Sequence, residues 1–76
     1  MTTYIDDKGR RVAVGISADY ASSPRFVAMS VNVKGQRRVV PGLEWRDWFS
    51  EAQVDLDALA EERGWEEVEW FINGLR

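Results

Sequence analysis

The stretch RFVAMSVNVKGQRRVV, residues 25–40, decides the fold of the first half of the chain. From Val27 to Val33, apolar residues recur at every second position, a period typical of a half-buried strand. Lys34-Gly35 follows, and glycine adopts the left-handed conformation that a tight turn requires. Arg37–Val40 then predicts a second strand, so the stretch predicts an antiparallel hairpin.

The residues before this hairpin repeat its pattern. Arg10–Ala18 alternates with Val12, Val14 and Ile16 on one face, and Thr2–Ile5 predicts a shorter strand. A second Lys-Gly turn joins them, so that DKGRRVAV resembles VKGQRRVV. We interpret this similarity as repeated hairpin chemistry, not as an internal repeat. The turn-rich link Asp19–Pro24 completes an antiparallel meander of three to four strands.

After Pro41-Gly42 the apolar period becomes helical. Trp45, Trp48, Phe49 and Ala52 follow the i, i+3, i+4, i+7 spacing of a helix stripe. A capping box at residues 50–53 and an N-cap at Asp55 predict a short helical turn at 43–49 and a main helix from 50 or 55 to Arg63. One long helix is the alternative. Gly64 is a natural helix stop, and a last helix is predicted over 65–73. The prediction is an α+β fold, with two or three helices packed on one face of the meander.

The composition limits the chemistry. With 76 residues, the chain is predicted to be a single domain, with a basic β-sheet half at 1–40 and an acidic helical half at 41–76. Neither cysteine nor histidine is present, so disulfides, imidazole bases and the commonest zinc ligands are excluded. No phosphate-binding loop or catalytic motif is recognisable. We therefore expect a protein that is not an enzyme and binds no cofactor or metal. Without a signal peptide or a long apolar run, we expect a cytoplasmic protein.

Charge divides the chain into two candidate surfaces. Residues 1–40 carry seven cations and three anions, a net +4, whereas residues 41–76 carry three cations and ten anions, a net −7. The cations cluster around the two Lys-Gly turns and form an alternative nucleic-acid patch: Lys8, Arg10, Arg11, Lys34, Arg37 and Arg38. The competing interpretation is that they aid solubility and discourage edge-to-edge strand pairing.

The second surface is the stretch EERGWEEVEW, residues 61–70. On a helical wheel Trp65 borders the core face, whereas Trp70 falls among the carboxylates. The stretch contains few compensating cations, unlike an ordinary solvated helix. We therefore predict a partner-binding face with Trp70 as anchor; the alternative is a solvated helix with Trp70 packed against a neighbour. The candidate residues are Glu61, Glu62, Glu66, Glu67, Glu69 and Trp70.

In size, in its Glu- and Trp-rich stretches and in lacking a catalytic motif, the chain resembles small acidic anti-CRISPR proteins of phages. The resemblance implies a stoichiometric inhibitor that occludes a bacterial nucleic-acid-processing complex. We therefore predict a monomeric, DNA-mimicking binding protein in the host bacterial cytoplasm. Its partner would be a protein with a basic surface, such as a Cas effector subunit, and it would bind neither nucleic acid nor membrane itself. The alternatives are a nucleic-acid-binding accessory protein that uses the basic turns, and a structural subunit of a larger assembly.

Overall fold

A computed structural model describes residues 2–17 and 24–68. The elements in chain order are β1 (Thr3–Ile5), β2 (Arg11–Ile16), β3 (Phe26–Val31), β4 (Arg37–Val39), α1 (Phe49–Arg63) and β5 (Glu66–Val68). The strands form a five-stranded sheet in the order β4-β3-β2-β1-β5, in which all neighbours are antiparallel. The α+β prediction is confirmed, as is the meander of the first four strands. The described residues contain one α-helix, not two or three.

One face of the sheet is covered by α1. Leu56 on the helix is fully buried against Val12, Ala28 and Val40, and small residues on the same helix face allow close approach. These small residues are Ala52 and Ala60, both about 1% exposed. Trp65 packs against this core from the chain that follows the helix. The prediction that Trp65 borders the core is therefore confirmed.

The apolar stripe of β3 points away from the helix. Val12 pairs with Ser30 and Val14 with Ala28, so the small residues of β3 share the helix-covered face. Met29 and Val31 pair with Ala13 and Arg11 on the opposite face, which α1 does not cover and which we call the open face, although Val27 on that face is only 1% exposed. The sequence pattern identified the strand correctly, but the larger alternating side chains are not the ones that meet α1. Small side chains suit the covered face because a helix must approach the strand closely.

The helix begins earlier than its capping signals predict. Its N-cap is Trp48, which makes no side-chain capping hydrogen bond, and Ser50 lies inside the first turn. The predicted helix from 50 to Arg63 is confirmed to within one residue, whereas the alternative start at Asp55 is wrong and residues 43–48 form no helical turn. Phe49, the first helical residue, packs its ring edge-on against Phe26 with centroids 6.0 Å apart. That contact holds the start of α1 against the sheet.

The last predicted helix is wrong where it can be described. Residues 66–68 form β5, which pairs antiparallel with β1 through Thr3–Val68 and Ile5–Glu66. The remainder of the predicted helix lies outside the described residues. Gly64 ends α1 as predicted, in the left-handed conformation with φ 70°. Its geometry turns the chain back towards the unpaired side of β1.

Candidate functional site

The first hairpin is closed by the buried side chain of Asp6. Its Oδ1 accepts hydrogen bonds from the backbone N–H groups of Lys8 (2.9 Å) and Arg10 (2.8 Å). Its Oδ2 accepts one from Nε of Arg10 at 2.9 Å. Burial alone would raise the pKa of Asp6, but these three donors outweigh it and lower the pKa below its usual value. Arg10 is therefore engaged within the turn.

The second hairpin repeats this arrangement with an amide. Oδ1 of Asn32 accepts hydrogen bonds from the N–H groups of Lys34 (2.9 Å) and Gln36 (3.0 Å). Gly35 has φ 81°, matching the 77° of Gly9 in the first turn. The resemblance between the two sequence segments is therefore a shared hydrogen-bonding pattern, as we interpreted it. Both turns lie at the same end of the sheet, where Lys8–Arg11 on one side and Asn32, Val33 and Gly35 on the other border one depression of about 270 Å³.

The structure brings the six predicted cations to one end of the molecule but divides them among different surfaces. Arg11 and Arg37 lie on the open face of the sheet, on either side of Val31. Arg38 pairs with Ser30 and lies on the helix-covered side. Lys8 and Lys34 are exposed on the turns. The predicted basic patch is therefore not one flat surface. Its cations lie at one end of the sheet but on different sides of it.

The acidic stretch is also divided, because a strand sends successive side chains to opposite faces. Glu66 pairs with Ile5 and shares the open face, whereas Glu67 pairs with Tyr4 and shares the helix-covered face. The helical wheel placed both on one polar side, and that placement is wrong. Glu61 lies in the last turn of α1 and joins Glu67 beside Tyr4. Glu69 and Trp70 lie outside the described residues.

Tyr4 marks the centre of the acidic group formed by Asp57, Glu61 and Glu67, which we call the acidic cluster. Its hydroxyl donates a hydrogen bond of 2.7 Å to Oδ1 of Asp57. Burial, this hydrogen bond and the charge of Asp57, with those of Glu67 and Glu61, raise the pKa of Tyr4 to about 12. Asp57 also accepts a hydrogen bond of 2.9 Å from Nε2 of Gln53. The contact joins α1 to β1 within a strongly negative environment.

The glutamates around this cluster are available to solvent. Glu61, Glu62, Glu66 and Glu67 are all exposed. Within the described ranges, the ion pairs involve the aspartates Asp6, Asp47 and Asp55 and none of these four glutamates. These carboxylates concentrate negative charge on the end of α1 and on the adjoining edge strand β5.

Exposed aromatic residues at the start of α1 and just before it were missed by the sequence analysis. Trp48 is 68% exposed, Trp45 38% and Phe49 37%. The i, i+3, i+4 spacing predicted that all three would lie on a buried helical stripe. Trp45 and Trp48 instead precede the helix, so its periodicity does not govern them. One sequence signal could have indicated its exposure: Trp48 stands at the N-cap, where a helix usually has Ser, Thr, Asp or Asn.

The segment that carries these tryptophans is held in place by Arg46. Its backbone exchanges two hydrogen bonds of 2.7 Å with Phe26, which extend the edge of the sheet by one bridge. Its guanidinium donates hydrogen bonds of 2.8 and 3.2 Å to Asp55 on α1, which raise the pKa of Arg46. Trp45 and Trp48 are thus displayed from a fixed backbone.

Comparison of the chain with protein-family models, with curated proteins and with solved structures finds no match. Within the part of the chain that is described, no helix has both the length and the apolar character needed to cross a membrane. Residues 2–17 and 24–68 also contain no group of three or more His, Cys, Asp or Glu side chains placed so that they could hold a metal ion.

Proposed function

We propose that this protein is a non-catalytic binding protein that uses its acidic cluster against a basic protein surface. The partner would be a bacterial nucleic-acid-processing complex, such as a CRISPR-Cas effector, whose phosphate-binding groove the carboxylates occupy. The proposal is carried by one observation: Glu61 and Glu67 are exposed, lack ion pairs within the described residues and lie near Tyr4, whose hydroxyl is bonded to Asp57. Such an array is complementary to a groove of Lys and Arg side chains.

The exposed tryptophan supports the same conclusion. Trp48 occupies a position where Ser or Asp would stabilise the helix by about 1 kcal/mol, and the residue is 68% exposed. Asp47 and Glu51 flank it in the sequence and are also exposed. An exposed Trp bordered by polar residues is typical of an interface hot spot. Trp48 is therefore a candidate anchor within the described residues, whereas Trp70, the anchor predicted from the sequence, lies outside them.

The test is affinity capture from bacterial lysate with matched baits. Wild type is compared with Glu61→Lys/Glu67→Lys, which reverses the acidic cluster, and with Glu62→Lys/Glu66→Lys, which makes the same charge change on the same two elements. We expect a subunit of a nucleic-acid-processing complex on the wild-type and control baits only. The captured complex should also lose its duplex DNA when the wild-type protein is added, because both compete for one groove.

Two outcomes would contradict the proposal. One is capture that does not distinguish the folded cluster variant from the control. The other is a captured complex that retains DNA at saturating inhibitor. The folded state of each bait is checked by thermal melting, where exposed substitutions should change stability by about 0.5 kcal/mol or less.

A second candidate function is favoured by the matched hairpins. The two turns present Lys8 and Lys34 at one end of the sheet, from backbones with the same hydrogen-bonding pattern. Two such cations could contact adjacent phosphates of a nucleic acid. We expect no shift of duplex DNA or RNA in a gel at physiological salt, where non-specific binders have a Kd of about 10⁻⁴–10⁻⁶ M. A micromolar complex that Lys8→Glu/Lys34→Glu abolishes would favour this second function instead.

A further inference from the structure

The two edge strands of the sheet carry opposite charges at corresponding positions. β4 has the sequence Arg37-Arg38-Val39 and β5 has Glu66-Glu67-Val68. Within the described residues, no further strand pairs with the outer side of either. Both have exposed residues at their first two positions. Directly opposite residues of neighbouring strands form rows across the sheet, and each row ends at β4 on one edge and at β5 on the other.

The strand register aligns the opposite charges row by row. One row on the open face begins at Glu66 and ends at Arg37, passing through Ile5, Arg11 and Val31. The next row, on the helix-covered face, begins at Glu67 and ends at Arg38, passing through Tyr4, Val12 and Ser30. Each of these rows thus has an anion at one edge and a cation at the other.

The directions of the edge strands are also compatible. Every neighbouring pair in the order β4-β3-β2-β1-β5 is antiparallel, so β4 and β5 run in the same direction. A second copy displaced along the rows by five strand spacings, about 24 Å, would therefore place its β4 parallel to β5 of the first. Glu66 would then lie beside Arg37, Glu67 beside Arg38, and Val68 beside Val39, each on a shared face.

We propose that these two edges bind further copies of the chain, with β5 of one molecule pairing with β4 of the next. The contact joins two different surfaces, so every assembly keeps a free β4 at one end and a free β5 at the other, and further copies can add there. Parallel pairing over three residues is short, and exposed ion pairs are screened by salt, so the association is weak and salt-dependent. Sheet twist turns successive copies about the growth axis.

Pairing of like edges is opposed by the same charges. Two β5 strands would bring glutamates together, and two β4 strands would bring arginines together. Charged edges also occur in proteins that simply avoid association. That explanation accounts for the charges but not for the opposite signs in register. The two explanations differ in one observable: whether unlike edges bind each other.

The proposal is independent of the partner-binding function, although Glu67 contributes to both. It replaces the expectation of a strictly monomeric protein with a concentration-dependent equilibrium. Glu61→Lys should weaken partner binding alone, because Glu61 belongs to the acidic cluster and not to β5. Arg37→Glu should weaken self-association alone, because Arg37 lies on the opposite edge of the sheet.

Sedimentation velocity of the purified chain tests the proposal. Wild type is measured from about 10 µM to about 1 mM, in about 0.01 M and about 1 M NaCl. At low salt we expect the mean sedimentation coefficient to rise with concentration past that of a dimer. At high salt we expect the association to weaken at least tenfold, an order-of-magnitude estimate for screened charges.

Charge exchange between the edges gives the decisive comparison. Arg37→Glu/Arg38→Glu makes both edges acidic, and Glu66→Lys/Glu67→Lys makes both basic, so each variant alone should stay monomeric. An equimolar mixture should associate again, because unlike edges are restored between the two variants. Lys8→Glu/Lys34→Glu is the matched control, since it changes net charge as much as the arginine variant but alters only the turns.

Three results would overturn the proposal. These are a wild type that stays monomeric at low salt, a mixture of folded variants that fails to associate, and a turn control that loses association as fully as the arginine variant. Circular dichroism establishes folding before each measurement. If a double variant unfolds, the single changes Arg38→Glu and Glu67→Lys repeat the exchange within one row.

Discussion

Replacing Asp6 by asparagine tests how the first hairpin is stabilised. The change is nearly isosteric, and Oδ1 can still accept the hydrogen bonds from the backbone of Lys8 and Arg10. Oδ2, which accepts from Nε of Arg10 at 2.9 Å, becomes an amide donor facing another donor. Asparagine also occupies the equivalent position of the second hairpin, at Asn32. The variant thus gives the first turn the chemistry of the second.

The expected loss follows from the charge-assisted contact. A hydrogen bond to a charged group contributes about 1.5–3 kcal/mol, and the side chain of Asp6 is only 3% exposed, so water cannot readily replace it. We expect Asp6→Asn to lower the free energy of unfolding by about 2 kcal/mol at pH 7. That is a large part of the net stability of about 3–5 kcal/mol expected for a core of this size.

The pH dependence separates this explanation from simple packing loss. The pKa of Asp6 is lowered in the folded state, so its stabilisation is present above the unfolded value of about 3.9 and is lost as pH falls through the folded value. Urea unfolding, monitored by circular dichroism at pH 7, 5 and 3 (about the range of carboxylate titration), should show a difference between wild type and Asp6→Asn that shrinks with acid.

The reverse change at the second hairpin is the control. Asn32→Asp places the same carboxylate in an exposed turn, where we expect an effect within about 0.5 kcal/mol. A difference between wild type and Asp6→Asn that is as large at pH 3 as at pH 7 would refute the electrostatic reasoning. So would an Asn32→Asp variant that changes stability as much as the buried substitution.

Other substitutions test the helix and its contacts. Tyr4→Phe should cost about 1.5 kcal/mol by removing the hydrogen bond to Asp57. Because the pKa of Tyr4 is raised to about 12, wild-type stability should fall as pH rises from about 10 through 12, and Tyr4→Phe should lack this decline in alkaline urea titrations. Trp48→Ser should melt higher than Trp48→Ala by an amount equivalent to about 1 kcal/mol, because serine can cap α1; equal melting temperatures would exclude a capping effect. Leu56→Ala should cost about 2–5 kcal/mol and largely abolish the near-ultraviolet dichroism of the tryptophans, whereas Leu56→Met should cost less than about 1.5.

Local signals predicted the meander well. The turn at Lys34-Gly35 and the alternation on each side of it are properties of neighbouring residues, and the strands occur within two residues of the predicted bounds. The side of β3 that faces α1 was not predictable in this way. Which side faces α1 depends on whether the helix packs against bulky or small side chains. Here the small residues Ala28 and Ser30 lie on the side that α1 covers.

The acidic stretch shows why the candidate site was only partly predictable. Residues 66–68 pair with β1, more than 60 positions earlier, so their strand conformation depends on a distant vacant edge and not on their own periodicity. Conversion from helix to strand separates Glu66 from Glu67. The exposure of Trp48 escaped prediction because residues 43–48 form no helical turn, so helical spacing does not bury Trp48 with Phe49 and Ala52.

The pairing of β5 with β1 also affects the order in which the structure opens. The β1–β2 and β3–β4 hairpins are local, whereas β5 closes a loop of most of the chain through three residues. Closing so long a loop carries a larger entropic cost than closing a turn, so β5 should detach first while the other four strands remain paired. Its amide hydrogens should therefore exchange with deuterium sooner than those of β2 and β3, and each opening briefly uncovers the backbone of β1.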